Sequence, residues 1–166
     1  MDTQSRRADA STSRVVYPVQ ARKAFFAGIV HELKTALPVE LRDFRHRGDF
    51  NLMKVWFDHY RVHYEVVIDQ NIDRIEIALH FEDGPVSTLG FLAYLDTRIL
   101  EIKDHLGPEV ELERWTQSWG RLYELRPLRQ LDASMTKLCG KRLVEFVALL
   151  QPLVGASGIG LDRPGA

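Results

Sequence analysis

The stretch RVHYEVVIDQNIDRIEIALHFE, residues 61–82, decides the fold. Apolar residues alternate with polar ones through Val62, Tyr64, Val66 and Ile68, and again through Ile75, Ile77, Leu79 and Phe81. A period of two marks a half-buried strand, so two strands are predicted, joined by a loop at 70–73. A one-residue slip would turn every side chain of a strand over. Setting both apolar rows on one face therefore puts Ile68 opposite Ile75 and Val62 opposite Phe81. The other face follows without further choice. Asp69 meets Arg74, Val67 meets Glu76, Glu65 meets Ala78, His63 meets His80, and Arg61 meets Glu82. Opposite charges fall at both ends of the hairpin, which supports this pairing independently.

Upstream, Phe25, Phe26, Ile29, Val30, Leu33 and Leu37 recur at helical spacing after Pro18, and Pro38 closes the run. A weaker helical turn follows through Leu41 and Phe44. RHRGDF, residues 45–50, is expected to be a loop, and LMKVWF, residues 52–57, a first strand. Downstream, Pro85 suits a first helical position. Phe91, Leu95, Ile99, Ile102 and Leu106 then form the apolar stripe of one long helix, stopped by Gly107-Pro108. VELERW (110–115) and RLYELRPL (121–128) predict a second hairpin. Asp132 reads as the N-cap of a last helix that buries Met135, Leu138, Phe146 and Leu149 and ends near Pro152.

The expected fold is therefore α+β: a two-layer sandwich with three helices on one face of a mainly antiparallel five-stranded sheet. Residues 1–14 are expected to be a flexible N-terminal arm, 15–154 a single domain, and 155–166 a flexible C-terminal tail.

Composition narrows the function classes. The chain has 166 residues and is 45% hydrophobic and 27% charged, an ordinary globular balance. Its net charge of -1, from 22 basic and 23 acidic residues, lacks the basic excess of a duplex-DNA binder. The one cysteine, Cys139, has no intramolecular disulfide partner and reads as a small apolar helix residue. The first fourteen residues lack the apolar stretch of a signal peptide, and no apolar run is long enough for a membrane span, so a cytoplasmic location is expected. His31-Glu32 opens like a metalloprotease HExxH motif, but Thr35 stands where the second histidine belongs. GASGIG (155–160) lacks the strand and helix that frame a dinucleotide loop, and Gly140-Lys141 lacks the glycine spacing of a P-loop. No cofactor is expected.

RIEIALHFED (74–83), Leu106-Gly107, VELERW (110–115) and GRLYEL (120–125) carry a resemblance. Residues 62–126 are similar to an uncharacterised bacterial domain of unknown function that is sometimes attached to restriction-type nucleases. The resemblance implies the order strand, helix, Leu-Gly, strand with Glu and Trp, strand. It brings no catalytic residue with it.

Function is expected on the sheet face turned away from the helices. Arg61, His63, Glu65, His80 and Glu82 converge there with Trp115, and His59 joins them if its strand reaches back that far. Val67, Ala78 and Leu122 would be its apolar members. Such a mixed face suits a protein partner or homodimer, without enzymatic activity, and its histidines would then sit side by side in solvent. As an alternative, His63, His80 and Glu65 could ligate zinc or another transition metal, or form an acid–base pair in a small-molecule site, hydrolytic in type. A third expectation is a nucleic-acid accessory module built on Arg121, Arg126, Arg129, Lys137, Lys141 and Arg142, with Trp119 and Tyr123 for stacking. Glu109, Glu111, Glu113 and Glu124 interleave with those cations and argue against it.

Overall fold

The computed structural model describes residues 16–161. Helix α1 (Val19–Ala36) and a 3-10 turn (Val39–Leu41) precede four strands, β1 (Arg45–Gly48), β2 (Leu52–Trp56), β3 (Val62–Asp69) and β4 (Arg74–Phe81). Helices α2 (Pro85–Asp96) and α3 (Ile99–Leu106) follow, then β5 (Glu111–Arg114), β6 (Gly120–Pro127) and the long α4 (Ala133–Ala156). The sheet is antiparallel throughout, in the order β1-β2-β3-β4-β6-β5. The α+β class and the two-layer arrangement hold, with six strands rather than five and four α-helices rather than three among the described residues.

The β3–β4 hairpin has the register read from its alternation: Ile68 pairs with Ile75, His63 with His80, and Val62 with Phe81. Its loop at 70–73 is tightened by Asn71 N–H donating to Asp69 Oδ1 at 2.9 Å. Asp73 closes it at φ 50°, a left-handed conformation that Asp tolerates better than most residues. The aliphatic row faces the helices, and Val66, Ile75, Ile77 and Leu79 are fully buried.

Three elements differ from expectation. The 45–50 segment holds strand β1, whose four residues are all exposed. It exists by pairing with β2, Arg45 to Trp56 and Arg47 to Lys54, and buries no row of its own. The long second helix is two helices. Arg98 leaves the helical region at φ -116°, and Thr97 Oγ1 donates to the Tyr94 carbonyl at 2.7 Å, a local bond that competes with the helical ladder. The apolar stripe survives the bend, with Leu95 and Ile102 fully buried. The last helix is capped as expected, Met135 N–H donating to Asp132 Oδ1 at 2.8 Å, but continues past Pro152 to Ala156. Its buried face is centred on Cys139, Leu143, Phe146 and Leu150, whereas Leu138 is exposed. Beyond it, Ile159 and Leu161 pack on the core. Residues 1–15 and 162–166, with the whole of the expected arm and the end of the expected tail, lie outside the described residues.

Helices α1 and α4 pack closely because Gly140 lies at their crossing. A Cβ there would stand 2.8 Å from Glu32 Cβ, so only a bare backbone fits. All four helices cover one face of the sheet, which leaves the other face to its own side chains. No helix among the described residues is long and apolar enough to cross a membrane.

Candidate metal centre on the outer face of the sheet

Three side-chain rows cross the outer face, each following the strand register. One runs Leu52, Val67, Glu76, Leu125. The next runs Arg47, Lys54, Glu65, Ala78, Tyr123, Glu111. The third contains His63, His80, Arg121 and Glu113. Adjacent rows interleave, so His63 and His80 meet the carboxylates of Glu65, Glu76 and Glu82.

The imidazoles are outward but not solvated. His63 is 0% and His80 1% exposed, and Glu65 is 6% exposed. The expected wet face is therefore a buried polar layer, roofed by neighbouring side chains. The Tyr60 ring stacks on His63 at 5.9 Å, and Trp115 meets His80 edge-on at 5.5 Å. Lys54 and Arg121 close the sides. Arg121 bridges Glu76 at 2.7 Å and Glu113 at 2.9 Å while lying over the Trp115 and Tyr123 rings.

Within this layer the two imidazoles lie nearly parallel, 5.7 Å apart at an interplanar angle of 9°. His63 Nε2 is 2.8 Å from Glu65 Oε1 and 4.0 Å from Glu82 Oε2. His80 Nε2 is 3.1 Å from Glu76 and 3.5 Å from Glu65 Oε2, and its Nδ1 is 3.2 Å from Glu82 Oε1. Lys54 Nζ holds Glu65 Oε1 at 2.8 Å. His63, Glu65, His80 and Glu82 each offer a ligand atom, all within 4.8 Å of one another.

Hydrogen-bond accounting sharpens this geometry. His63 Nδ1 lies 2.8 Å from the Tyr60 carbonyl, which only accepts, so Nδ1 carries a proton and donates. A neutral His63 ring then turns the Nε2 lone pair toward the Glu65 carboxylate at 2.8 Å. Two acceptors at that distance need a proton or a cation between them. His80 faces carboxylates from both nitrogens. Charge counting agrees: Glu65, Glu76, Glu82 and Glu113 against Lys54 and Arg121 leave two negative charges if both rings are neutral. Two protons or one dication would balance them.

Without an ion, the His80 proton is held firmly. Burial disfavours a charged His80, but hydrogen bonds to Glu76 and Glu82 and the charge of Glu65 outweigh it and raise the pKa to about 9. Burial also opposes ionisation of Glu65. The His63 hydrogen bond, the His80 charge and Lys54 overcome that and lower it to about 2. Glu82 is lowered against its burial by His80, His63 and Lys54, and Lys54 is raised against its burial by Glu65 and Glu82.

Other expected members stand elsewhere. Arg61 turns to Asp83 at 3.6 Å rather than to Glu82, although the Glu82 N–H donates to the Arg61 carbonyl. His59 lies ahead of β3, with Nδ1 accepting from the Arg61 N–H at 3.2 Å, and takes no part in the cluster. Leu122 is on the helix face and fully buried. Lys54, Tyr60, Glu76 and Arg121 were missed. Carrying the hairpin register onto β2 puts Lys54 opposite Glu65, whereas Arg121 opposite His80 follows only once β6, rather than β5, lies beside β4. The C-terminal basic residues are partly engaged, with Arg126 and Arg142 holding buried Glu124 at 2.8 and 2.7 Å.

Two imidazoles and two carboxylates form a donor set that suits zinc and similar divalent transition ions. Ligand atoms around a tetrahedral zinc stand about 3.4 Å apart, so the cluster would contract modestly. One partner of the kind that orients metal-bound histidines stands apart from the four ligands, the Tyr60 carbonyl on His63 Nδ1.

Comparison with protein-family models, with curated proteins and with solved structures returned no match. The resemblance of residues 62–126 to the nuclease-associated domain stays an expectation.

Proposed function

We propose that this protein binds one divalent transition-metal ion, zinc for preference, through His63, His80, Glu65 and Glu82. One observation carries the reading: His63 Nδ1 donates to a carbonyl while its Nε2 confronts a buried carboxylate at 2.8 Å. That contact asks for positive charge at the point where the other ligand atoms converge. An ion supplies it in place of two protons on stacked rings. Because both rings are at most 1% exposed, a substrate has no approach to them in this conformation. The geometry favours an ion that fixes the outer face over one that turns over a substrate.

The test is elemental analysis of the purified full chain, followed by titration with Zn2+ and with Co2+ as a visible-absorbing probe. One ion per chain is expected, with tetrahedral d–d bands for Co2+ that His63→Gln and His80→Gln abolish. At a hundredfold excess of zinc over Kd, stability should rise by about 2.7 kcal/mol. Absence of binding, or binding that survives the double substitution, would refute the reading.

A second reading, self-association through the same face, is favoured by its charge layout. Arg45 and Arg47 line the β1 edge, and Glu111 and Glu113 the β5 edge. A twofold axis parallel to the strands brings each basic edge over the partner copy's acidic edge. Tyr60, Trp115, Trp119 and Leu125, each at least 40% exposed, provide apolar area. Sedimentation of wild type and of Arg45→Glu/Arg47→Glu tests it: a salt-sensitive dimer lost in the variant is expected, and a strict monomer at high concentration would end it.

A further inference from the structure

A second candidate site lies away from the outer face, between α1 and the β1–β2 hairpin. It is a cleft of about 650 Å3 with a floor of Phe26, Val30 and Met53. That volume is in the range of small-molecule sites. Arg22, Lys23 and Lys34 line it, against the single carboxylate of Asp49, whose Oδ1 already accepts from the Phe50 N–H at 2.7 Å. A chain of net charge -1 thus gathers three cations around one apolar hollow.

Arg22 is the informative residue. It is 3% exposed, yet among the described residues no carboxylate lies within ion-pair distance of it. Among the described residues its side chain makes one hydrogen bond, Nη1 donating to Asn51 Oδ1 at 3.3 Å, and its guanidinium lies 3.5 Å from the Phe50 ring centroid. Its Nε is buried without a hydrogen-bond partner. Buried charges are ordinarily paired, and a guanidinium offers five donors in a fork that matches a carboxylate. Phe50, itself 59% exposed, lies over this donor set.

We propose that the cleft binds an amphipathic organic monoanion. Its carboxylate pairs with Arg22, and its aliphatic or aromatic body lies along Phe26, Val30 and Met53. A single buried guanidinium matches a single negative charge. A phosphate dianion would carry a second charge into a pocket whose other cations, Lys23 and Lys34, are at the solvent-exposed rim. The site is independent of the proposed metal centre and shares no residue with it.

The experiment is calorimetric titration of the full chain with dodecanoate, 4-phenylbutyrate, dodecanol, dodecylamine and inorganic phosphate. Saturable one-site binding of at least one of the two carboxylates is expected, and the pair distinguishes a long-chain from an aromatic ligand. The neutral alcohol should bind at least about tenfold more weakly than dodecanoate, since it leaves the guanidinium unpaired. Arg22→Gln should weaken carboxylate binding by about tenfold or more. Lys34→Glu, at an exposed position where folding is not at stake, should weaken it severalfold through charge repulsion. If Arg22→Gln does not fold, the alcohol comparison and Lys34→Glu decide. The proposal is overturned if neither carboxylate binds, if dodecylamine or dodecanol binds as well as dodecanoate, if phosphate alone matches it, or if binding persists unchanged in the variants that fold.

Discussion

Glu65→Gln is the sharpest single perturbation of the outer face. The carboxylate is 6% exposed and touches His63 at 2.8 Å, Lys54 at 2.8 Å and His80 at 3.5 Å. Glutamine keeps the shape and one acceptor but removes the charge that three neighbours share. The lowering from 4.5 to about 2 measures what the folded state gains by keeping Glu65 ionised. At about 1.4 kcal/mol per pH unit, this is about 3 kcal/mol. Breaking a buried ion pair from one side has a cost of the same order. In metal-free protein at pH 7, Glu65→Gln should therefore lose about 3 kcal/mol, roughly 10 °C in Tm for a domain of this size. The pH dependence is a second signature. A carboxyl with a depressed folded-state pKa contributes fully above its unfolded value and loses that contribution as pH falls through the folded value. Wild type should shed this stability between about pH 4.5 and about pH 2, and Glu65→Gln should lack that part of the acid limb. Urea unfolding followed by tryptophan fluorescence, in EDTA and across this range, reads both. A variant within about 0.5 kcal/mol of wild type, the scatter of an ordinary surface substitution, or one with an unchanged acid limb, would refute the assigned geometry.

Three further outcomes follow from the same structure. His80 has the opposite sign: its pKa is raised to about 9, so its contribution is complete below 6.5 and is lost as pH rises toward 9. EDTA-treated protein should destabilise over that window, and saturating zinc should remove the effect. Glu124, 1% exposed, ties β6 to α4 through Arg142 at 2.7 Å. Glu124→Gln should cost about 2 kcal/mol by removing the buried charge that accepts from Arg142 and Arg126, since Arg142 keeps Glu145 and the Leu106 carbonyl, whereas Arg126→Ala, removing the more exposed partner, should cost under about 1 kcal/mol in thermal melts. Gly120 lies under the Phe81 ring, so Gly120→Ala must displace a ring that is 1% exposed and should cost about 2 kcal/mol by overpacking; Gly155→Ala, inside α4 with open space at its Cβ, is the control and should stabilise by up to about 1 kcal/mol.

The hairpin was legible because both of its faces constrain one register. Four apolar residues per strand had to lie together, and the pairing of His63 with His80 then followed. Strand β1 was not legible, because Arg45, His46 and Arg47 carry no buried alternation and the strand is defined only by its neighbour. The bend at Thr97 was hidden by an apolar stripe that continues across it. Burial of the imidazoles was invisible for a different reason. The groups that cover them come from β2, the turn before β3, the end of β5, and β6. Local pattern does not say that β6, rather than β5, lies beside β4. The same gap put Leu122 on the wrong face. Parity along β6 places Arg121 beside His80 and Leu122 in the core.

Burying charge here calls for a cause beyond stability. Replacing a buried ionic cluster with well-packed apolar residues is often neutral or stabilising, and six antiparallel strands need no imidazoles to pair. Removing one member is costly for a separate reason, since it strands the partners that remain. The two cases are separable by experiment. In EDTA, the combined variant His63→Phe/Glu65→Leu/His80→Phe should be at least as stable as Glu65→Gln, because no buried imidazole is left facing a carboxylate, while Lys54 keeps Glu82, 3.5 Å away. It should also be indifferent to zinc, whereas wild type gains stability from it. If the combined variant is much less stable than Glu65→Gln in EDTA, the layer is a structural element in its own right. If it still responds to zinc as wild type does, the ion binds elsewhere. Only a variant that keeps its fold and loses its zinc response fits a polar layer retained for the ion it holds.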